Sequence, residues 1–118
     1  MARAEQPQPA LSIAIKCFNE EHKIAGAIES ALAAGRETHL PFEVVVADSC
    51  STDRTVDIAR RYPVRVVQLA HTQDRGCGAG TELAYAHSQG DLVFLMDGDM
   101  QLVPGFLPAA VAHLQRDP

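Results

Sequence analysis

Residues 91–99 read DLVFLMDGD, an apolar run of strand length that ends in two carboxylates separated by one glycine. Because side chains alternate between the faces of a strand, strand geometry continued through Gly98 would place Asp97 and Asp99 on the same face. Carboxylates so placed repel each other unless a cation lies between them. Mg²⁺ or Mn²⁺ suits this position, since one or two carboxylates hold it and leave ligand positions for phosphates. The alternative is a simple Asp-Gly turn.

The pattern of an apolar run followed by a polar turn recurs along the chain. Strands are predicted at residues 11–17, 42–48, 64–69 and 91–96. The first helix is predicted after residues 18–21, with Asn19 as N-cap and Gly35 as the C-terminal stop. Three more helices are predicted, from about Asp53 to Tyr62, over residues 81–88, and from Pro104 to about Arg116.

Strands that alternate with helices and are joined by short turns predict an α/β fold with a mostly parallel sheet covered on both faces. In such sheets, ligands bind at the carboxyl ends of the strands. We call this edge of the sheet the rim. Four loops are expected there, at residues 18–21, 48–53, 72–80 and 97–101.

Composition narrows the class of protein. The 118 residues predict a polar, disordered leader over residues 1–10 and one domain over residues 11–118. A formal net charge of −5 without a Lys/Arg cluster argues against nucleic-acid binding. The sequence contains no apolar run of membrane-spanning length, and three cysteines are too few for a disulfide framework. We expect a cytoplasmic chain, or one peripheral to the inner face of a membrane in a longer protein.

The turn at residues 48–53, DSCSTD, follows a buried strand and precedes a helix. Either Thr52 or Asp53 is expected to cap that helix. Asp48 is then left at the rim, where its carboxylate can accept hydrogen bonds from a pyrimidine imide or a ribose hydroxyl.

Several segments together resemble the inverting family-2 glycosyltransferases of the GT-A fold. SIAI followed by FNEE, residues 12–15 and 18–21, is similar to the opening strand and Asn-Glu turn of that family. Residues 45–55, VVADSCSTDRT, are similar to its V-D-x-G-S-x-D-x-T segment, with Cys50 in place of glycine. Arg75-Gly76 and then LMDGD, residues 95–99, follow in the family's order, the latter resembling its D-x-D motif.

The resemblance implies a Rossmann-like, three-layer fold, here its donor-binding half, and a transferase of hexosyl type. It implies a nucleotide-diphospho-sugar donor, UDP-sugar before GDP-sugar, with Mn²⁺ or Mg²⁺ as cofactor. By position, it assigns the metal to Asp97 and Asp99, with Asp97 also in the substrate site, and the general base to a residue beyond Pro118. The nucleoside and diphosphate contacts that it implies are Phe18, Asn19, Glu20, Asp48 and Arg75.

Two departures from the family pattern leave alternatives open. Glu82 would repel a diphosphate unless it faces away or pairs with Arg75. The acceptor-binding half is not within residues 11–118, so a non-catalytic nucleotide-sugar-binding or interaction domain is the main alternative, ahead of a nucleotidyltransferase-like enzyme. Self-association through uncovered apolar sheet surface is also expected. A zinc or redox site of Cys17, Cys50 and Cys77 is disfavoured by their spacing.

Overall fold

Strands and helices alternate strictly in the computed structural model, which describes residues 8–72 and 78–116. The described strands are β1 (Leu11–Cys17), β2 (Phe42–Asp48), β3 (Arg65–Gln68) and β4 (Leu92–Asp97). The described helices are α1 (Ile24–Glu37), α2 (Thr55–Ala59), α3 (Ala79–Ala86) and α4 (Phe106–Arg116). Each predicted strand and helix is therefore present, with ends that shift by a few residues.

The strands form one parallel sheet in the order β3-β2-β1-β4. The register pairs Cys17 with Asp48 across β1 and β2, and Lys16 with Asp97 across β1 and β4. The carboxyl ends of these three strands therefore lie side by side. The predicted α/β fold with a parallel sheet is confirmed, and so is the position of the rim.

Packing on the two faces of the sheet is unequal. One face carries the larger cluster, in which Ile13 and Ile15 of β1 pack with Ile24 and Ile28 of α1, together with residues of α2 and α4. The other face carries α3, and its buried residues are Ala14, Ala47 and Ala84. Small side chains let α3 approach the sheet closely. Helices cover both faces, so the three-layer arrangement is confirmed.

Helix α1 does not begin as predicted. Asn19 has a left-handed backbone (φ 50°), and the carbonyl of Glu20 accepts hydrogen bonds from the N–H groups of Lys23 and Ile24. The helix starts only at Ile24, without a side-chain cap at Lys23. The prediction of Asn19 as N-cap is wrong because Asn19 forms hydrogen bonds with the loop that follows β2.

Helix α1 also continues past the predicted stop at Gly35 and ends at Glu37. Gly35 lies inside the helix, and the ring of Phe42 packs directly against it, so that only glycine fits at this position. A Cβ at Gly35 would lie 2.3 Å from that ring. The left-handed residue after the helix is His39 (φ 58°).

Helix α2 is shorter than predicted. It ends at Ala59, and the N–H groups of Arg61 and Tyr62 then donate to carbonyls three residues earlier, as in a turn. Pro63 follows Tyr62 in the sequence, and a residue before proline is disfavoured in helical geometry. Among the helices that the structure describes, none has the length and apolar character needed to cross a membrane.

Candidate functional site

A cavity of about 350 Å³ opens at the rim, where β1, β2 and β4 end. Its described walls come from the last residues of β1 and β4, from the loops after all three strands and from the first turn of α3. The residues that line it are Lys16, Cys17, Phe18, Glu20, Ser49, Gly78, Gly80, Thr81, Asp97, Gly98 and Asp99. Of the residues predicted for the site, the structure brings Phe18, Glu20, Asp97 and Asp99 together here.

The two acids of the D-G-D segment reach the cavity by a turn. Strand β4 ends at Asp97, and the N–H of Met100 donates to the carbonyl of Asp97 at 3.0 Å. Strand geometry therefore does not continue through Gly98, so alternation along a strand does not align the two carboxylates, and the alternative of an Asp-Gly turn describes this backbone. Both residues nevertheless line the same cavity. Gly98 permits this close turn, since a Cβ there would lie 2.8 Å from the Cβ of Cys17.

Lys16 is a cavity residue that the sequence analysis missed. It is the penultimate residue of β1, and its Nζ lies 3.3 Å from Oδ1 of Asp97. The two side chains are 48% and 41% exposed, so solvent reaches the ion pair. The available signal was a lysine near the end of an otherwise buried apolar strand.

Asp48 is the last residue of β2, as predicted, but its carboxylate is buried below the rim. Oδ2 accepts from the Ser51 N–H at 2.8 Å and from Nε2 of Gln68 at 3.4 Å. Oδ1 accepts from the Ser51 hydroxyl and from the Cys17 thiol, whose Sγ is 3.6 Å away. Alternation along the strands places Asp48 and Asp97 on opposite faces of the sheet. Asp48 does not line the cavity.

Two of the three cysteines, Cys17 and Cys50, lie in the described part of the chain. Burial, and then the neighbouring Asp48 carboxylate, raise the pKa of the Cys17 thiol far above its ordinary value. The Cys17 thiol is free of any disulfide, the Cys50 thiol donates to the carbonyl of Leu69 at 3.4 Å, and Cys77 lies outside the described residues. Residues 8–72 and 78–116 contain no group of three or more His, Cys, Asp or Glu side chains arranged to hold a metal by themselves.

Hydrogen bonds join the loop after β1 to the loop after β2, and we call this set the cross-tie. The Asn19 N–H donates to Oγ of Ser51, and Oδ1 of Asn19 accepts from the N–H of Thr52, both at 2.8 Å. The Glu20 N–H donates to Oγ1 of Thr55 at 2.8 Å. Asn19 was predicted to line the nucleoside pocket, but its side chain holds the two loops together.

Asp53 completes the cross-tie. Its Oδ2 accepts from the N–H of Glu21 at 3.2 Å, and its Oδ1 accepts from the N–H of Thr55 at 2.9 Å. Desolvation raises the pKa of the Asp53 carboxyl, but hydrogen bonds from Thr55 and Glu21 outweigh it and hold the pKa below its ordinary value. The N-cap of α2 is Arg54, without a side-chain capping bond, so the prediction that Thr52 or Asp53 caps this helix is wrong. Asp53 instead accepts from the first helical N–H, that of Thr55, from the residue before the cap.

Cys50 occupies the position where the resembled family pattern has glycine. Its backbone is left-handed (φ 65°), a conformation that glycine adopts at little cost. The structure therefore gives the physical reason for glycine in that pattern. Glu82, the other departure, is exposed on α3 and does not line the cavity, whereas Arg75 lies outside the described residues.

Known proteins with similar sequences and structures are glycosyltransferases. The chain is 31% identical over 112 residues to a dodecaprenyl-phosphate galacturonate synthase of Rhizobium johnstonii, a match that covers 90% of this chain and 32% of that protein. It superposes on TarS 1–349 of S. aureus in complex with UDP with a TM-score of 0.74 and 29% identity, covering 90% of this chain and 32% of that one.

A third similar protein is glucosyl-3-phosphoglycerate synthase from Mycobacterium tuberculosis, in a complex with Mn²⁺, UDP and glucosyl-3-phosphoglycerate. This chain superposes on it with a TM-score of 0.69 and 30% sequence identity, and the match covers 90% of this chain and 39% of that one. The chain thus spans about a third of the length of these relatives.

These structural neighbours have the GT-A fold, and the four-stranded parallel sheet with its flanking helices corresponds to part of it. The sequence pattern of the family described as "Glycosyl transferase family 2" matches residues 12–118. Because this match extends over nearly all of the sequence, the chain belongs to glycosyl transferase family 2.

Proposed function

We propose that this chain is the donor-binding part of an inverting glycosyltransferase and that the rim cavity binds a nucleotide-diphospho-sugar. The observation that carries the proposal is the meeting of Asp97 and Asp99 with the first turn of α3 in one cavity. Support comes from TarS and glucosyl-3-phosphoglycerate synthase, both of which are known in complexes with UDP. A UDP-sugar is therefore the favoured donor.

A divalent metal fits the residues present. Asp97 and Asp99 offer carboxylate oxygens to one cavity, and Mn²⁺ or Mg²⁺ commonly takes one or two protein carboxylates and completes its ligands with substrate phosphates. The Mn²⁺ in the glucosyl-3-phosphoglycerate synthase complex supports this assignment. When bound, the ion would neutralise charge that grows on the leaving diphosphate.

The remaining cavity residues suit the rest of the donor. Phe18 is 41% exposed and offers a ring edge or face to the base, while the Glu20 carboxylate can accept hydrogen bonds from ribose hydroxyls. Helix α3 begins after Gly78, which has a left-handed backbone (φ 91°). Because the N-cap is a glycine, no capping side chain bonds to the first N–H groups of this helix. First-turn N–H groups of a helix favour phosphate oxygens.

Asp48 and Arg75 stay in the proposal with different support. Asp48 fixes Ser51, and through Ser51 it supports Asn19 in the cross-tie, so we assign it a positioning role in addition to the predicted nucleoside contact. Arg75 remains a predicted diphosphate contact. The general base that takes the acceptor proton is expected in an acceptor-binding part, so this chain alone is expected to bind donor without transferring sugar.

The alternative functions differ in their support. Membership of the family argues against a nucleotidyltransferase. A non-catalytic nucleotide-sugar-binding domain would share the same cavity, and activity of a longer gene product would distinguish it from an enzyme. A cytoplasmic or membrane-peripheral location is part of the proposal, and the free thiol of Cys17 fits a reducing compartment.

Calorimetric titration with UDP and GDP, each with and without Mn²⁺, tests the proposal. We expect UDP to bind at least ~10-fold more tightly with Mn²⁺, and Asp99→Asn to abolish that gain, because charge-assisted contacts contribute roughly 1.5–3 kcal/mol each. Asp91→Asn is the matched control, since Asp91 is exposed and precedes β4, away from the cavity. Failure of both nucleotides to bind, or equal metal dependence in Asp99→Asn, would contradict the proposal.

A further inference from the structure

We propose that Lys16 binds the diphosphate of the donor in this cavity. The inference rests on the proposed function and adds to it a residue that neither the D-G-D segment nor Arg75 supplies. In the structure, the Lys16 ammonium is paired with Asp97.

The position of Lys16 follows from the register of the sheet. Lys16 pairs with Asp97 across β1 and β4, at the carboxyl end of the central strand. Its Nζ lies 3.3 Å from Oδ1 of Asp97, and its side chain is 48% exposed. A ligand entering the cavity can therefore reach the ammonium without any change in the sheet.

Charge gives the reason that a lysine is needed here. Among the described residues that line the cavity, Lys16 is the only cation, against the carboxylates of Glu20, Asp97 and Asp99. A diphosphate entering this set of acids is repelled unless positive charge compensates. A metal ion at Asp97 and Asp99 would supply part of that positive charge. The Lys16 ammonium supplies another part, which is present with or without the metal.

Packing directs the lysine toward the place where phosphate is expected. Gly80, in the first turn of α3, lies directly over the stem of Lys16, since a Cβ at Gly80 would be 3.5 Å from Cβ of Lys16 and 3.2 Å from Oγ of Ser49. The absence of a side chain at Gly80 thus leaves room for the lysine stem. The ammonium and the first turn of α3 border the same cavity, and both attract anions.

NMR titrations with UDP in the presence of Mg²⁺, and with uridine, test this inference on the wild-type chain and on Lys16→Gln and Lys16→Arg. We expect Lys16→Gln to weaken UDP binding at least ~10-fold, as expected for loss of a charge-assisted hydrogen bond. Uridine binding should stay unchanged, because uridine carries no phosphate. Lys16→Arg should retain most of the UDP affinity, since it keeps the charge.

Lys23→Gln is the matched control, because Lys23 is exposed, precedes α1 and does not line the cavity. Wild-type UDP affinity in Lys16→Gln would overturn the role of Lys16 and leave the donor site intact. Equal weakening of UDP and uridine, or an equal loss in Lys23→Gln, would also overturn it, since the effect would then not be a phosphate contact. If the wild-type chain binds neither ligand, the proposed function fails together with this inference.

Discussion

Asp48 shows at the residue scale how one buried carboxylate organises the rim. Its two oxygens accept hydrogen bonds from the backbone and hydroxyl of Ser51, from Gln68 and from the thiol of Cys17. A buried carboxylate is tolerated only when such donors surround it. Because Ser51 in turn accepts from the N–H of Asn19, Asp48 stabilises the loop on each side of the cross-tie.

Asp48→Asn is expected to destabilise the chain by about 1–3 kcal/mol, because an amide NH₂ group replaces an oxygen that accepts hydrogen bonds. Urea unfolding would measure the free energy of unfolding. Asp57→Asn is the matched control, since Asp57 is an exposed acid on α2 and its loss should change stability little. Unchanged stability in Asp48→Asn combined with lost UDP affinity would instead indicate a direct nucleoside contact alone.

Helix α1 illustrates at the element scale why a glycine does not always end a helix. Gly26 and Gly35 both lie within α1, yet their surroundings differ. A Cβ at Gly35 would lie 2.3 Å from the Phe42 ring, whereas a Cβ at Gly26 would meet Nε2 of Gln101 at 2.6 Å. The first contact is with a ring packed between helix and sheet, and the second is with the end of a flexible side chain.

Gly26→Ala and Gly35→Ala are therefore expected to change stability in opposite directions. Alanine favours a helix over glycine by about 1 kcal/mol, so Gly26→Ala should stabilise by up to that amount once Gln101 rotates away. Gly35→Ala should destabilise by about 1–3 kcal/mol, because the Phe42 ring must move. Urea unfolding of both variants tests this pair, and equal stabilisation by both would show that Phe42 does not pack as described.

At the scale of the whole molecule, the apolar groups left at the surface determine how copies of the chain behave. β4 is an edge strand of the described sheet, and Leu95 on it is 45% exposed. Val103 and Phe106, in the segment that follows, are 67% and 50% exposed. An exposed edge strand with apolar side chains favours association with another chain.

We expect the chain to self-associate as its concentration rises, and Leu95→Lys to shift it toward monomer, because a charge on an edge strand opposes pairing. Sedimentation velocity over a wide range of concentrations would measure the distribution. Leu114→Lys on α4 is the control, since it adds the same charge at an exposed apolar residue outside the sheet. A wild-type chain that stays monomeric throughout would make the prediction wrong.

The sequence by itself determined the alternation of strands and helices, the parallel sheet and the edge at which the candidate site lies. These features depend on local periodicity, on turn residues and on the general behaviour of parallel sheets, all of which can be read along the chain. The segment at Asp97 and Asp99 could be placed at the rim for the same reason. The geometry proposed for it could not, since the chain turns at Gly98.

Only the tertiary structure decided which residues meet. The register of β1 against β4 places Lys16 beside Asp97, and the register of β1 against β2 buries Asp48 beside Cys17. The pairing of two loops turned Asn19 from an expected helix cap into a link between them. Contacts between residues far apart in the chain depend on which strands pair and how the helices pack. The hydrophobic pattern of a strand decides which face is buried, but it does not name the residue that lies opposite on the neighbouring strand.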